Sequence, residues 1–134
     1  VILFRADMKQ AIIEGRKTVT RRRGKKRWNV GSWHLLYTRP PFAKGGAKPF
    51  ARVRIVSVGH EGNVGGGIPL TDGSIKSLDE WLIRLDAEAH REGFDSWVQF
   101  GDAYERINGP MSIYGPCWRV EWDPETVEVL EAQQ

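Results

Sequence analysis

The chain has 134 residues, of which 40% are hydrophobic and 28% charged, with a formal net charge of +3. A chain of this length and make-up reads as one soluble domain, residues 1–134, burying about two-thirds of its unfolded surface without help from metal or disulfides. The lone Cys117 excludes an internal disulfide and favours a reducing compartment. Val1–Phe4 is cut short by Arg5 as a leader, and no apolar run nears the ~20 residues of a membrane span, so a cytoplasmic location and no membrane partner are expected.

Val1–Phe4 predicts a short buried strand. Asp7 with Gln10 predicts a capping box opening a helix through Met8, Ala11 and Ile12, which Gly15 closes. Lys17–Arg22, with Thr18, Val19 and Thr20, favours extended structure. Strict alternation puts Lys17 and Thr20 on opposite faces, so both reach one pocket only if the turn at Gly15 leaves Lys17 outside the strand. Trp33–Thr38 is the next strand, and 39–49, with three Pro and two Gly, is a loop. Phe50–Gly59 is the clearest strand: Ala51, Val53 and Ile55 share one face, Arg52 and Arg54 the other. The stretch 60–74 holds five Gly but lacks the Gly-Lys-Ser/Thr ending of a phosphate loop, and reads as a lid-like loop.

Ser77 with Glu80 predicts a second capping box, followed by the stripe Leu78, Trp81, Leu82, Leu85 and Ala89, with Gly93 ending the helix. Asp95 or Ser96 caps a third helix with Trp97, Phe100 and Tyr104 on one side. Trp118–Trp122 alternates as a strand, and the acidic tail, about 124–134, adds a last strand at 126–130. Strands outnumber helices and strict β-α-β alternation is absent. The expected class is therefore α+β: a small, mostly antiparallel barrel with two or three flanking helices.

Charge is divided unevenly along the chain. Residues 1–60 carry 15 basic and 2 acidic side chains, and residues 61–134 carry 5 basic and 15 acidic. The basic half peaks at Gly15–Arg27, with eight Lys or Arg in thirteen positions. Such a run is a solvated strand and loop or an anion-binding rim. Read as a rim, Arg16, Arg21, Arg22, Arg23, Lys25, Lys26, Arg27, Arg39 and Arg54 contact phosphates, while Trp28, Tyr37 and Phe42 stack on bases. Trp33 reads as core, and Trp28 and Phe42 as exposed loop residues. The implied partner is RNA, another single-stranded nucleic acid or a modified nucleoside.

Chemistry is available in the same run. Like charges and burial would lower the pKa of Lys17 and fit it to act as a base. Thr20 offers a hydroxyl nucleophile. Glu92, at the end of the second helix, is the candidate acid. The histidines and Cys117 show no ligand spacing, so neither metal nor cofactor is expected.

The pattern Gly15-x-Lys17-x-x-Thr20-x-Arg22 resembles the signature of the ASCH domain family, and the Phe50–Gly59 strand, the segment DAEAHREGF and the final aromatic strand are similar too. The resemblance spans about Phe4 to Trp122. It implies a fold like the PUA domain, a small RNA-binding β-barrel. The motif is also similar to that of bacterial 4-acetylcytidine amidohydrolases. That similarity implies Lys17 as proton acceptor, Thr20 as nucleophile and Glu92 as proton donor in hydrolysis of an acylated cytidine. Other members are associated with RNA binding or cleavage, and a non-catalytic binding module is the alternative.

Overall fold

The computed structural model describes residues 1–41, 45–64 and 77–130. The regular elements are β1 (Ile2–Leu3), α1 (Lys9–Ile13), β2 (Val19–Arg22), β3 (Trp33–Tyr37), β4 (Ala51–Glu61), α2 (Leu78–Arg91), α3 (Trp97–Asn108), β5 (Cys117–Trp122) and β6 (Glu128–Val129). The strands join in the order β1-β3-β4-β5-β2, and β6 adds to the start of β4. Among the described strands only β1 and β3 run parallel. The class is α+β, and the sheet curls into a half-barrel.

β4 produces the curl. Ala51, Val53 and Ile55 are fully buried, as alternation predicts, while Arg54 points outward. Between Ile55 and Ser57 the register with β5 shifts. A bulge bends a strand and increases its twist. The first half of β4 therefore pairs with β3 and the second half with β5. Phe4, Ile12, Phe50, Ile55 and Trp122 fill the hollow, and Ala89, Phe100, Tyr104 and Cys117 pack under α2 and α3.

The two edges of this sheet, β1 and β2, leave a seam between them. One side chain crosses it: Arg22 Nη2 donates to the Leu3 carbonyl at 2.6 Å.

Several expectations need local correction. Asp7 does not cap α1. Its carboxylate is taken by the Arg5 guanidinium, and the chain enters the helix through a tight 3₁₀ turn at Ala6–Met8. Ser77 does cap α2, accepting from the Glu80 N–H at 3.1 Å. The apolar stripe of α2 is buried only toward its C-terminal end, at Leu85 and Ala89, where Glu88 joins them, while Leu78 and Leu82 are exposed. Two arginines of the sheet bind Glu88 and turn that side of the helix inward. The stretch read as a Gly-rich loop from 60 begins as the end of β4, and positions 65–76, Phe42 and the last four residues lie outside the described residues. Among the described residues no helix is long and apolar enough to cross a membrane.

Candidate functional site

Gly15 has φ +79° and turns the chain sharply after α1. The N–H groups of Arg16 and Lys17 both return to the Ala11 carbonyl, so Lys17 belongs to the turn and β2 starts at Val19. That placement lets Lys17 and Thr20 reach the same side. Glu92 follows the last residue of α2, and Gly93, at φ +91°, folds back beneath Lys17. A Cβ on Gly93 would stand 3.1 Å from Met8 Sδ and 3.5 Å from Lys17 Cδ. Only glycine suits both that conformation and that approach.

Lys17, Thr20 and Glu92 line one cavity of about 460 Å³ beside the seam. Lys17 is 3% exposed and Glu92 2%. Lys17 Nζ donates to the Val19 carbonyl at 2.8 Å, the Glu92 carbonyl at 2.7 Å and Glu92 Oε1 at 3.1 Å. Three acceptors match the three protons of an ammonium. Burial pushes the Lys17 pKa below its ordinary value; Glu92 pulls the other way, and Arg22 and Arg21 add to the push. The ammonium also sits at the C-terminal carbonyls of α2, where a cation is favoured. Arg21 Nη1 donates to the second Glu92 oxygen at 2.7 Å, so cations hold both oxygens of this carboxylate.

Arg21 is the centre of a wider ion network. It is 6% exposed and also binds Glu61 at 2.7 Å and Glu88 at 2.8 Å. Burial alone would lower its pKa, but Glu61, Glu92 and Glu88 more than offset that and raise it. Arg119 continues the chain between Glu88 and Glu121. Cys117 Sγ approaches Glu61 at 3.4 Å, and burial with that carboxylate pushes the thiol up to about 12.

Thr20 and Arg22 share one face of β2. Arg22 Nε donates to Thr20 Oγ1 at 3.0 Å, and its guanidinium stacks on Phe4, 4.8 Å from the ring centre. The Thr20 oxygen therefore accepts from a cation while its own proton stays available. Among the described residues no hydrogen bond joins Lys17 to Thr20.

The rim expectations divide. Arg22 and Arg23 line the cavity, and Arg27 lines its neighbour. Arg21, expected on phosphate, also lines the cavity but is bound by three carboxylates. Arg16 is exposed and paired with Glu14. Lys25, Lys26, Arg39 and Arg54 are exposed outside both cavities. Trp28 is 6% exposed and Tyr37 is buried, so neither offers a free ring face, and the core is their place. Trp33, read as core, is 47% exposed and carries Arg52 over its ring at 4.6 Å. The aromatic walls of the cavity come instead from Phe4, Phe94, Phe100 and Tyr104. The sequence signals for them were present: Phe94 follows Glu92-Gly93, and Phe100 and Tyr104 stand four apart on α3. The Tyr104 hydroxyl is covered and has no partner among the described residues, and burial pushes it up to about 12.

No family model matches this chain, and no curated protein matches it. Solved structures do. An ASCH protein from Zymomonas mobilis superposes with a TM-score of 0.53 at 17% identity, over 91% of this chain and 64% of that one. Two single-substitution variants of the same protein give TM-scores of 0.52 at 15% and 16% identity. The present chain spans just under two-thirds of their length. At such identities the likeness is one of architecture, and the fold of this chain is the ASCH fold.

Proposed function

We propose that this chain is a single nucleic-acid-binding domain of the cytoplasm whose seam cavity takes one nucleoside unit of single-stranded RNA. The observation that carries this reading is the make-up of the cavity. Its volume of about 460 Å³ lies within the range of small-molecule sites, its walls are aromatic rings, and its polar groups converge at Lys17, Thr20 and Arg22. Rings of this kind suit a flat base, and the Thr20 hydroxyl with the remaining Arg22 N–H groups suits its polar edge. The test is titration of the four ribonucleosides and a short unstructured RNA into the chain, read by calorimetry. Binding that Phe94→Ala weakens supports the reading, and no binding of any of them ends it.

A second reading, hydrolysis of the acylated amino group of a cytidine, is favoured by the convergence of Lys17, Thr20 and Glu92 on this one cavity. Lys17 first loses a proton to solvent, which its lowered pKa assists. The neutral amine then removes the Thr20 proton, and the oxygen adds to the acyl carbon. Arg22, already donating to the Thr20 oxygen, favours its deprotonated form. The carbon–nitrogen bond breaks as the Lys17 ammonium passes that proton to the amino nitrogen. Water, giving a proton to the neutral Lys17, then adds to the acyl carbon and releases the acyl group from Thr20 as a carboxylic acid. Glu92, with both oxygens held by cations, serves here to hold Lys17 rather than to donate the proton. Incubation with 4-acetylcytidine, read by mass spectrometry, tests this. Turnover should fall ~10²–10⁴-fold in Lys17→Ala and in Thr20→Ala, with partial activity in Thr20→Ser. Binding without turnover in the wild type would leave the first reading and remove the second.

A further inference from the structure

A second cavity, of about 410 Å³, adjoins the first and shares Leu3, Arg22, Arg23 and Asn108 with it. Its character is different. Arg22, Arg23 and Arg27 line it, no acidic residue does among the described residues, and the buried Trp28 forms part of its wall.

These three arginines differ from the ion-paired ones. Arg5, Arg16, Arg21, Arg52 and Arg119 each hold a carboxylate. Arg22, Arg23 and Arg27 hold none among the described residues. Arg22 spends one N–H on Thr20 Oγ1 and one on the Leu3 carbonyl. Arg23 makes one long bond, 3.3 Å, to the Asn108 carbonyl. A guanidinium has five N–H donors, so most of the donors in this cavity are unspent. Three cations gathered with no bonded carboxylate among the described residues repel one another, and an anion with several acceptor oxygens relieves that. The planar forks of arginine match a phosphate geometrically.

We propose that the second cavity is a phosphate subsite, so that the ligand of the seam is a nucleotide, its base beside Lys17 and Thr20 and its sugar phosphate among Arg22, Arg23 and Arg27. This rests on the nucleoside reading of the first cavity and narrows it from a nucleoside of any kind to one that carries a phosphate. Arg22 forms part of both walls and bridges the seam between them. It therefore registers base and phosphate together, and the substrate class is a nucleoside monophosphate or the equivalent unit of an RNA chain.

The experiment compares each ribonucleoside with its 5′- and 3′-monophosphate, and with inorganic phosphate, by calorimetry on the full chain at low and moderate salt. Charge-assisted hydrogen bonds predict that one monophosphate binds roughly tenfold to a hundredfold more tightly than its nucleoside, an advantage that shrinks as salt rises. The Arg23→Gln, Arg27→Gln double variant should lose most of that advantage. Circular dichroism should show an unchanged fold, because both side chains are exposed. Nucleoside and monophosphates bound equally would overturn the phosphate subsite and leave the nucleoside reading intact. Inorganic phosphate bound as tightly as the monophosphate would also overturn it, since the site would then be independent of the base. Failure of every nucleoside and nucleotide to bind would overturn both.

Discussion

Arg21 and Arg22 are neighbours on β2, yet they lie in opposite electrostatic worlds. The two-residue period of the strand sends Arg21 toward the end of β4 and α2, where Glu61, Glu88 and Glu92 meet it, and sends Arg22 into the seam, where it finds a hydroxyl and a carbonyl. The acidic half of the chain thus neutralises the basic half on one side of β2 only. The first side is mainly architecture: Arg21 reaches the cavity wall, but four of its five N–H donors are already spent on three carboxylates. The second keeps its donors, and there the overall charge balance of the sequence is least informative.

The largest test of that contrast is a matched pair. Arg21→Met leaves three carboxylates facing one another with too few cations, two of them buried, and should cost about 3–5 kcal/mol. Arg22→Met removes two hydrogen bonds at a half-buried site and should cost about 1–2 kcal/mol, with the greater damage to ligand binding. Urea denaturation of both variants measures the difference. Equal losses would mean that the two arginines are not divided in this way.

The tryptophans show where the sequence stops being legible. Trp28 and Trp33 both flank a glycine turn among basic residues, and local chemistry does not separate them. The tertiary structure does. Trp28 folds into the core with Ile2 and Phe50, whereas Trp33 begins β3 on the outer face, opposite Arg54. Trp28→Ala should therefore cost about 3–5 kcal/mol and Trp33→Ala below about 1 kcal/mol in thermal unfolding, the reverse of what the sequence suggests. What was readable rested on local rules. The glycine turn that frees Lys17, the Ser77 and Ser96 caps, and the alternation of β4 all follow from a few adjacent residues. What was hidden depended on residues far apart in the chain. Glu88 looks like a surface acid on a helix until Arg21 and Arg119, 67 and 31 positions away, turn it inward. The aromatic walls of the cavity likewise come from both ends of the chain.

Gly93 links the two sides, because it lies under Lys17. Gly93→Ala would force an L side chain into φ +91° and press on Met8 and Lys17. A loss of about 1–2 kcal/mol from the backbone is expected, together with weaker ligand binding because Lys17 is displaced. Stability and affinity measured on one sample would show both. A loss of stability with full affinity would place Lys17 outside the binding site.

The paired side should also carry a pH signature. Burial alone would raise the Glu88 carboxyl, but Arg119 and Arg21 outweigh it and hold its pKa below the ordinary 4.5. A carboxyl depressed on folding adds stability that is full above its unfolded pKa and is lost as pH falls through the folded value. The urea midpoint should accordingly be level from pH 7 to about 5 and then decline, with a shallower decline in Glu88→Gln. Parallel curves for the two proteins would remove Glu88 from the acid response.

The smallest expected effect on stability concerns the exposed turn between β2 and Trp28. Lys25 and Lys26 are exposed, show no bonded partner among the described residues and lie outside both cavities. Reversing both to Glu should change stability by no more than about 0.5 kcal/mol. Their charge still contributes to the field around the seam, and a long RNA samples that field along its backbone. For every phosphate that is no longer neutralised, the slope of log affinity against log salt should become shallower by roughly 0.7 for a single strand. The affinity of a nucleoside monophosphate, held inside the cavities, should change far less than that of the long RNA. A variant that loses both to the same extent would show that the charge of the whole run, rather than the arginines beside the seam, governs binding.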